Sequence, residues 1–165
     1  MEQLLIPEKR VELLKDVLER VEKATGCNIS IEDGNRVVIS GDAYAEYNGK
    51  NIVQAIGRGF DYSKAMLLLS DEYFSKYINM KELFKNEEHI RRIKARIIGR
   101  SGTTKEYIEE VSGSFVSVYG NTIGIIGRVY EIEIASSAMQ VLLEGGTHKK
   151  AYRIMEALRR KKRLE

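Results

Sequence analysis

The chain has 165 residues, 43% of them hydrophobic and 31% charged, with a formal net charge of +3; that suffices for one ordinary domain or two small ones, and permits a nucleic-acid partner without requiring one. The single cysteine, Cys27, excludes an internal disulfide and points to a cytoplasmic protein, and His89 and His148 stand far apart with no cysteine partners, so no metal site is expected. No apolar run approaches the roughly 20 residues that span a bilayer, and "MEQLLIPEKR" lacks the basic start and apolar core of a signal peptide, so no membrane partner is expected.

In chain order, "PEKRVELLKDVLERVEKATG" predicts a helix: Val11, Leu14, Leu18 and Val21 recur at helical spacing, with Pro7 at the entry and Gly26 at the stop. "NISIE" and "RVVIS" flank Asp33-Gly34-Asn35 as a hairpin. A helix follows from Ala43 to about Ile56; "GRGF" breaks it, and "DYSKAMLLL" restarts one with Asp61 as N-cap. "YFSKYINM" reads as a strand, "NEEHIRRIKARII" as a helix, and "TTKEYIEEVSG" as a second helix with a glycine stop. "SFVSVYG" and "TIGIIG" flank the tight turn Gly120-Asn121. "EIEIASSAMQVLLEGG" is a long helix, and "THKKAYRIMEALRRKKR" a last one with a basic end.

The order repeats. An offset of 87 lays "ERVEKATGCNISI" on "EYIEEVSGSFVSV" and Gly26 on Gly113; an offset of 86 lays Gly41 on Gly127, Gln54 on Gln140 and Gly59 on Gly145. The residue of slack falls in the hairpin, where insertions are tolerated. We read an α+β chain of two copies of one unit, each a helix pair, a strand hairpin and a long helix with an earlier strand. Each copy is then a three-stranded antiparallel sheet covered by helices, and the copies are expected to share an interface. The copies are residues 1–72 and 73–165.

Between the two short helices of the second copy stands "IIGRSGTTK". A glycine turn at a helix N-terminus presents N–H groups and the positive end of the helix dipole, which favour a phosphate. Glycine accepts positive φ and carries no Cβ to hold a phosphate backbone away. Arg100 adds charge, and Thr103, Thr104 and Lys105 are expected to donate from the first turn. The spacing is not that of a mononucleotide P-loop, and a helix rather than a strand precedes it. A G-x-x-G joining two helices before a hairpin is the arrangement of a KH domain, whose loop clamps a single-stranded nucleic-acid backbone. A bare GxxG is usually a plain turn; the context carries this reading. Ile98 and Val116 are candidate groove residues, and Tyr119 a candidate for base stacking. The 87-residue offset lays Gly99-Arg100-Ser101-Gly102 on Glu12-Leu13-Leu14-Lys15, so the first copy carries no glycine there. No carboxylate cluster or histidine pair suggests catalysis or a cofactor, and Glu109 and Glu110 read as a solvated face.

"KARIIGRSGTTKEYIEEVSG", "YGNTIGIIG", "LLEGGTHKKAYRIMEALRR" and "AIGRGFDYSKAMLLL" resemble the archaeal KH-domain family of small-subunit rRNA biogenesis (the Dim-two or partner-of-Nob-one family). The resemblance covers almost the whole chain. It implies two tandem type I KH domains and a non-enzymatic factor for small ribosomal subunit biogenesis. It implies binding of the 3′ end of small-subunit rRNA through the second domain, at Ile98, Gly99, Arg100, Ser101, Gly102, Thr103, Thr104, Lys105 and Val116. It further implies contact with a Nob-one-like endonuclease and with the alpha subunit of translation initiation factor two. "ELLK" departs from the family's GxxG in the first domain, which favours a supporting role there. The alternative is a KH scaffold that binds proteins and no RNA.

Overall fold

A computed structural model describes the chain from Met1 to Glu165. It divides into two compact units, Met1–Tyr73 and Phe74–Glu165. The first runs β1 (Glu2–Leu5), α1 (Glu8–Thr25), β2 (Asn28–Glu32), β3 (Arg36–Ser40), α2 (Ala43–Gly57) and the one-turn helix α3 (Tyr62–Ala65), which continues as a 3-10 turn over Met66–Leu69. The second runs β4 (Phe74–Asn79), α4 (Met80–Leu83), α5 (Glu87–Ile98), α6 (Thr103–Ser112), β5 (Phe115–Tyr119), β6 (Thr122–Gly127), α7 (Val129–Leu143) and α8 (His148–Leu164). Each holds a three-stranded antiparallel sheet with the same topology, β1-β3-β2 and β4-β6-β5. The central strand is thus the last of the three in the chain, and each hairpin leaves its first strand at an edge.

Alternation along the strands sets the covered face. In the second unit Val116 pairs with Ile125, and both Ile78 and Val118 pair with Ile123. These residues join Ile93 and Ile97 of α5, Ile108 of α6 and Ile134, Ala138 and Met139 of α7 in one core, with Ala151 and Met155 of α8 closing it. Fully burying each large aliphatic side chain contributes about 1.5–3 kcal/mol. In the first unit Val11, Leu14, Val17 and Val21 form the buried stripe of α1, and Val37 and Ile39 the buried positions of the central strand.

The repeat holds at the level of hydrogen bonds. Glu22 Oε2 accepts from the Ile29 N–H at 2.9 Å, and Glu109 Oε2 from the Val116 N–H at 2.9 Å. Thr25 Oγ1 lies 2.9 Å from Cys27 Sγ, and Ser112 Oγ 2.7 Å from Ser114 Oγ. Arg10 Nη2 donates to the Phe60 carbonyl at 2.8 Å, and an Arg96 Nη donates to the Gly146 carbonyl, so an arginine clasps the loop after the long helix in both units. Asp61 and Thr147 cap the helices that leave those loops, accepting from Lys64 N and Lys150 N at 3.0 Å.

Two expectations need correction. The first unit has no helix pair: α1 runs unbroken through Glu12–Lys15, because Leu14 continues the apolar stripe and is fully buried there. The segment from first strand to glycine stop is residues 6–25 in the first unit and 80–112 in the second, so the first unit lacks a whole helix and turn, not only the glycines. Glu109, in turn, is no solvated side chain. It ties α6 to β5 through Val116 and pairs with Lys105.

Candidate nucleic-acid interface

Asn86 starts α5 by accepting from Glu88 N at 2.9 Å and His89 N at 3.2 Å. The helix ends where Gly99, at φ 77° and ψ 174°, turns the chain outward while its N–H still reaches the Ala95 carbonyl at 2.8 Å. Arg100, Ser101 and Gly102 then form a single 3-10 turn in which Ser101 (φ 55°) and Gly102 (φ 80°) are left-handed. The Gly102 N–H returns to the Gly99 carbonyl at 3.2 Å, and the Thr103 N–H and hydroxyl both return to the Arg100 carbonyl, the hydroxyl at 2.8 Å. The turn is internally braced, with Arg100, Ser101 and Thr103 exposed.

The two glycines serve different ends. A Cβ on Gly99 would lie 2.3 Å from Thr104 Oγ1 and 2.7 Å from Thr104 N, so Gly99 lets the end of α5 pack onto the start of α6. A Cβ on Gly102 would meet nothing nearer than Glu106 Oε1 at 3.9 Å, so its outer face is open. Room for a backbone approaching from outside therefore belongs to Gly102. The expectation that both glycines supply it is corrected.

The predicted site residues separate into three groups. Gly99, Arg100, Ser101, Gly102 and Thr103 form the turn and its flank. Ile98, the last residue of α5, is half-buried beside it, and Lys105 is held by Glu109 Oε1 at 3.3 Å with its side chain 29% exposed. Thr104 and Val116 lie inside. Thr104 is 4% exposed and accepts from the Tyr152 hydroxyl at 3.2 Å, so its side chain packs inward against α8 rather than standing at the surface of the turn. Val116 is 3% exposed because strand alternation turns it to the helix-covered face, so it does not line an open base-binding surface.

The sequence reading passed over the other end of α5. Glu87, Ile90, Arg91 and Lys94 of that helix, with Asn121 of the β5–β6 turn, line a polar depression of about 270 Å³. The spacing 87, 91, 94, 98 runs along one side of α5 into Gly99 and was a signal available in the sequence. That Asn121 sits across from it depends on the sheet register.

From the other side the turn is buttressed by α8. The Tyr152 hydroxyl reaches Thr104, and His148 Nε2 donates to the Arg96 carbonyl at 2.8 Å. Tyr107 of α6 meets the Tyr152 ring edge-on at 4.7 Å. The Tyr107 hydroxyl donates to Glu156 at 2.6 Å, and that carboxylate holds the phenol above its ordinary pKa. No group of three or more His, Cys, Asp or Glu side chains is placed to hold a metal, and no helix is long and apolar enough to cross a membrane.

The chain is 38% identical over 170 residues to KH domain-containing protein MJ0443 of Methanocaldococcus jannaschii, across 98% of this chain and 75% of that protein. It is 32% identical over 114 residues to the pre-rRNA-processing protein pno1 of Aspergillus fumigatus; the match takes in 67% of this chain and 45% of pno1, so the chain spans less than half of that relative. Its fold matches a chain of the crystal structure of the a/eIF2alpha–aDim2p–rRNA complex from Pyrococcus horikoshii with a TM-score of 0.87 at 35% identity, covering 97% of this chain and 94% of that one. The family model for the second KH domain of PNO1, described as a eukaryotic-type KH domain, matches residues 74–160. Helix, GxxG turn, helix, hairpin and helix thus stand in one unit of a tandem pair with matching sheets, and the chain belongs to the PNO1/Dim2 family of eukaryotic-type (type I) KH-domain proteins.

Proposed function

We propose that the protein is a non-catalytic, single-stranded RNA-binding factor of small ribosomal subunit biogenesis, gripping the 3′ end region of small-subunit rRNA with its second unit. The observation that carries the reading is the braced turn Gly99–Gly102, with Arg100 and Ser101 exposed at its tip and the face of Gly102 open. An exposed cation on a glycine turn at a helix N-terminus suits a phosphodiester. The groove beside it takes about four unpaired bases, and Ile98, Arg91, Lys94 and Asn121 lie on its course. The pre-rRNA-processing relatives and the rRNA complex of the structural neighbour support the same reading. From that neighbour we further propose the alpha subunit of translation initiation factor two as a protein partner, and from the PNO1 relationship a Nob-one-like endonuclease. The first unit, whose α1 is unbroken, is read as the supporting domain of this cytoplasmic factor.

The test is the double substitution Arg100→Asp and Ser101→Asp, with affinity for a labelled single-stranded fragment of the rRNA 3′ end measured by fluorescence anisotropy. We expect a loss of at least about tenfold, because one cation is removed from the phosphate and two negative charges are set beside the backbone. Unchanged affinity would sink the reading and leave a protein-binding KH scaffold.

A further inference from the structure

At the far end of α8, Arg159, Lys162 and Arg163 with Tyr130 of α7 line a depression of about 200 Å³. Arg159 Nε is buried and has no hydrogen-bond partner. Lys162 Nζ is held at 3.0 Å from Glu133 Oε2, which fixes it at the rim and keeps its pKa above the ordinary lysine value. Cations in a last helical turn offset the negative end of the helix dipole. That accounts for the charges of "RRKKR" but not for a guanidinium N–H turned inward without an acceptor. A buried donor left unpaired is costly; the same Arg159 side chain also lines the depression beside Arg163, where an oxyanion bound by these two cations would offset that cost.

We propose that this depression is a second backbone-phosphate site for single-stranded RNA, taking a phosphodiester of the same strand that the Gly99–Gly102 turn grips; the RNA reading of the turn is its premise. The geometry of α8 favours RNA as the ligand. Its first turns are bonded to the rear of the GxxG region through Tyr152 and His148. Arg159 lies two turns beyond Tyr152, about 10 Å along the axis at 1.5 Å per residue. Between and around them Lys149, Arg153 and Arg160 stand exposed on one side of the helix. The one carboxylate among them, Glu156, is engaged by Tyr107. A strand leaving the turn along α8 meets Lys149 and Arg153 in the first turns, passes Glu156, and meets cations again at Arg159, Arg160 and Arg163.

The test uses the full chain and two labelled oligonucleotides, one of about four nucleotides that fills the groove alone and one about three times as long, extended at either end. Against the long strand, R159A/R163A is expected to lose about three- to tenfold in affinity, and the slope of log affinity against log salt to fall by about 0.7 for each phosphate no longer neutralised. Against the short strand it should match the wild type. R163A alone, an exposed position, should show the smaller part of the effect and guards against misfolding of the double variant; circular dichroism checks both. Equal affinity of wild type and both variants for the long strand, at low salt and with either extension, overturns the site. So does an equal loss on the short strand, which would mean a general charge effect. So would an acidic peptide that competes at the depression while the long RNA does not. The arms separate the two readings: if R100D/S101D leaves the short strand bound, the reading of the turn fails, while the long-strand comparison still decides the site on α8.

Discussion

The two units share a sheet, a glycine stop, a carboxylate clamp on the next strand and an arginine clasp on the loop after the long helix, yet differ at two places. In the second unit two helices meet at a left-handed turn; in the first a single helix runs past the matched residues. The shared bonds therefore build the domain, and the inserted helix and turn add the candidate site. The tail of each repeat differs in the same sense. Behind Asp61 there is one helical turn and a 3-10 segment, whereas behind Thr147 there is the full helix α8, which buttresses the turn.

The largest expected effect strikes the turn itself. Gly99→Ala should destabilise the second unit by about 2–4 kcal/mol, the sum of positive-φ strain and a clash with Thr104. Gly102→Ala, with open space at its Cβ, should cost about 1 kcal/mol and lower RNA affinity more than stability. Chemical denaturation together with the RNA titration reads both. Similar stability losses for the two would remove the distinction between a packing glycine and an open one.

A smaller effect tests the first unit. Writing the letters of GxxG into α1 with Glu12→Gly and Lys15→Gly should cost about 2 kcal/mol, two exposed helix-interior glycines at about 1 kcal/mol each. It should gain no RNA affinity, because α1 has no second helix for a turn to join. A gain in binding would mean that the letters rather than the insertion make the site.

The smallest effect separates the two caps. Asp61→Ala and Thr147→Ala should each cost about 1 kcal/mol at neutral pH. The Asp61 carboxyl is held below the ordinary aspartate value of 3.8, first by the Lys64 N–H and then by the Ser63 hydroxyl. A lowered folded pKa gives stability that is present above the unfolded value and lost as pH falls through the folded one. The difference between D61A and wild type should therefore shrink below pH about 4, while that for T147A stays constant. Urea midpoints measured across that range decide it; a T147A difference that shrinks in parallel would assign the change to general acid loosening.

Much of the fold was legible because its signals are local. Hydrophobic spacing marks α1, α5 and α6, the hairpin residues mark Asp33-Gly34 and Gly120-Asn121, and Asp61 marks its helix. The exposed part of the site, Gly99 to Thr103, was legible for the same reason: a turn's residues announce their backbone. The inward placement of Thr104 and Val116 was not, because burial depends on what packs above a residue. Thr104 looks like a donor from the first turn until α8 brings Tyr152 to it. Glu109 looks solvated until β5 presents an unpaired N–H. The missing helix of the first unit escaped for a related reason, since residue matching aligned "ELLK" to a turn where the chain had only helix to give.

The order of residues alone was enough to set the element types, the duplication and the place of the glycine turn, since propensity, spacing and positive-φ positions are properties of neighbours along the chain. Three features came only with the folded chain: Gly99 serves packing while Gly102 faces outward, α1 is unbroken, and α8 runs from the rear of the turn to an arginine whose Nε is buried without a partner. They depend on which atoms far apart in the chain come within a few ångströms of one another.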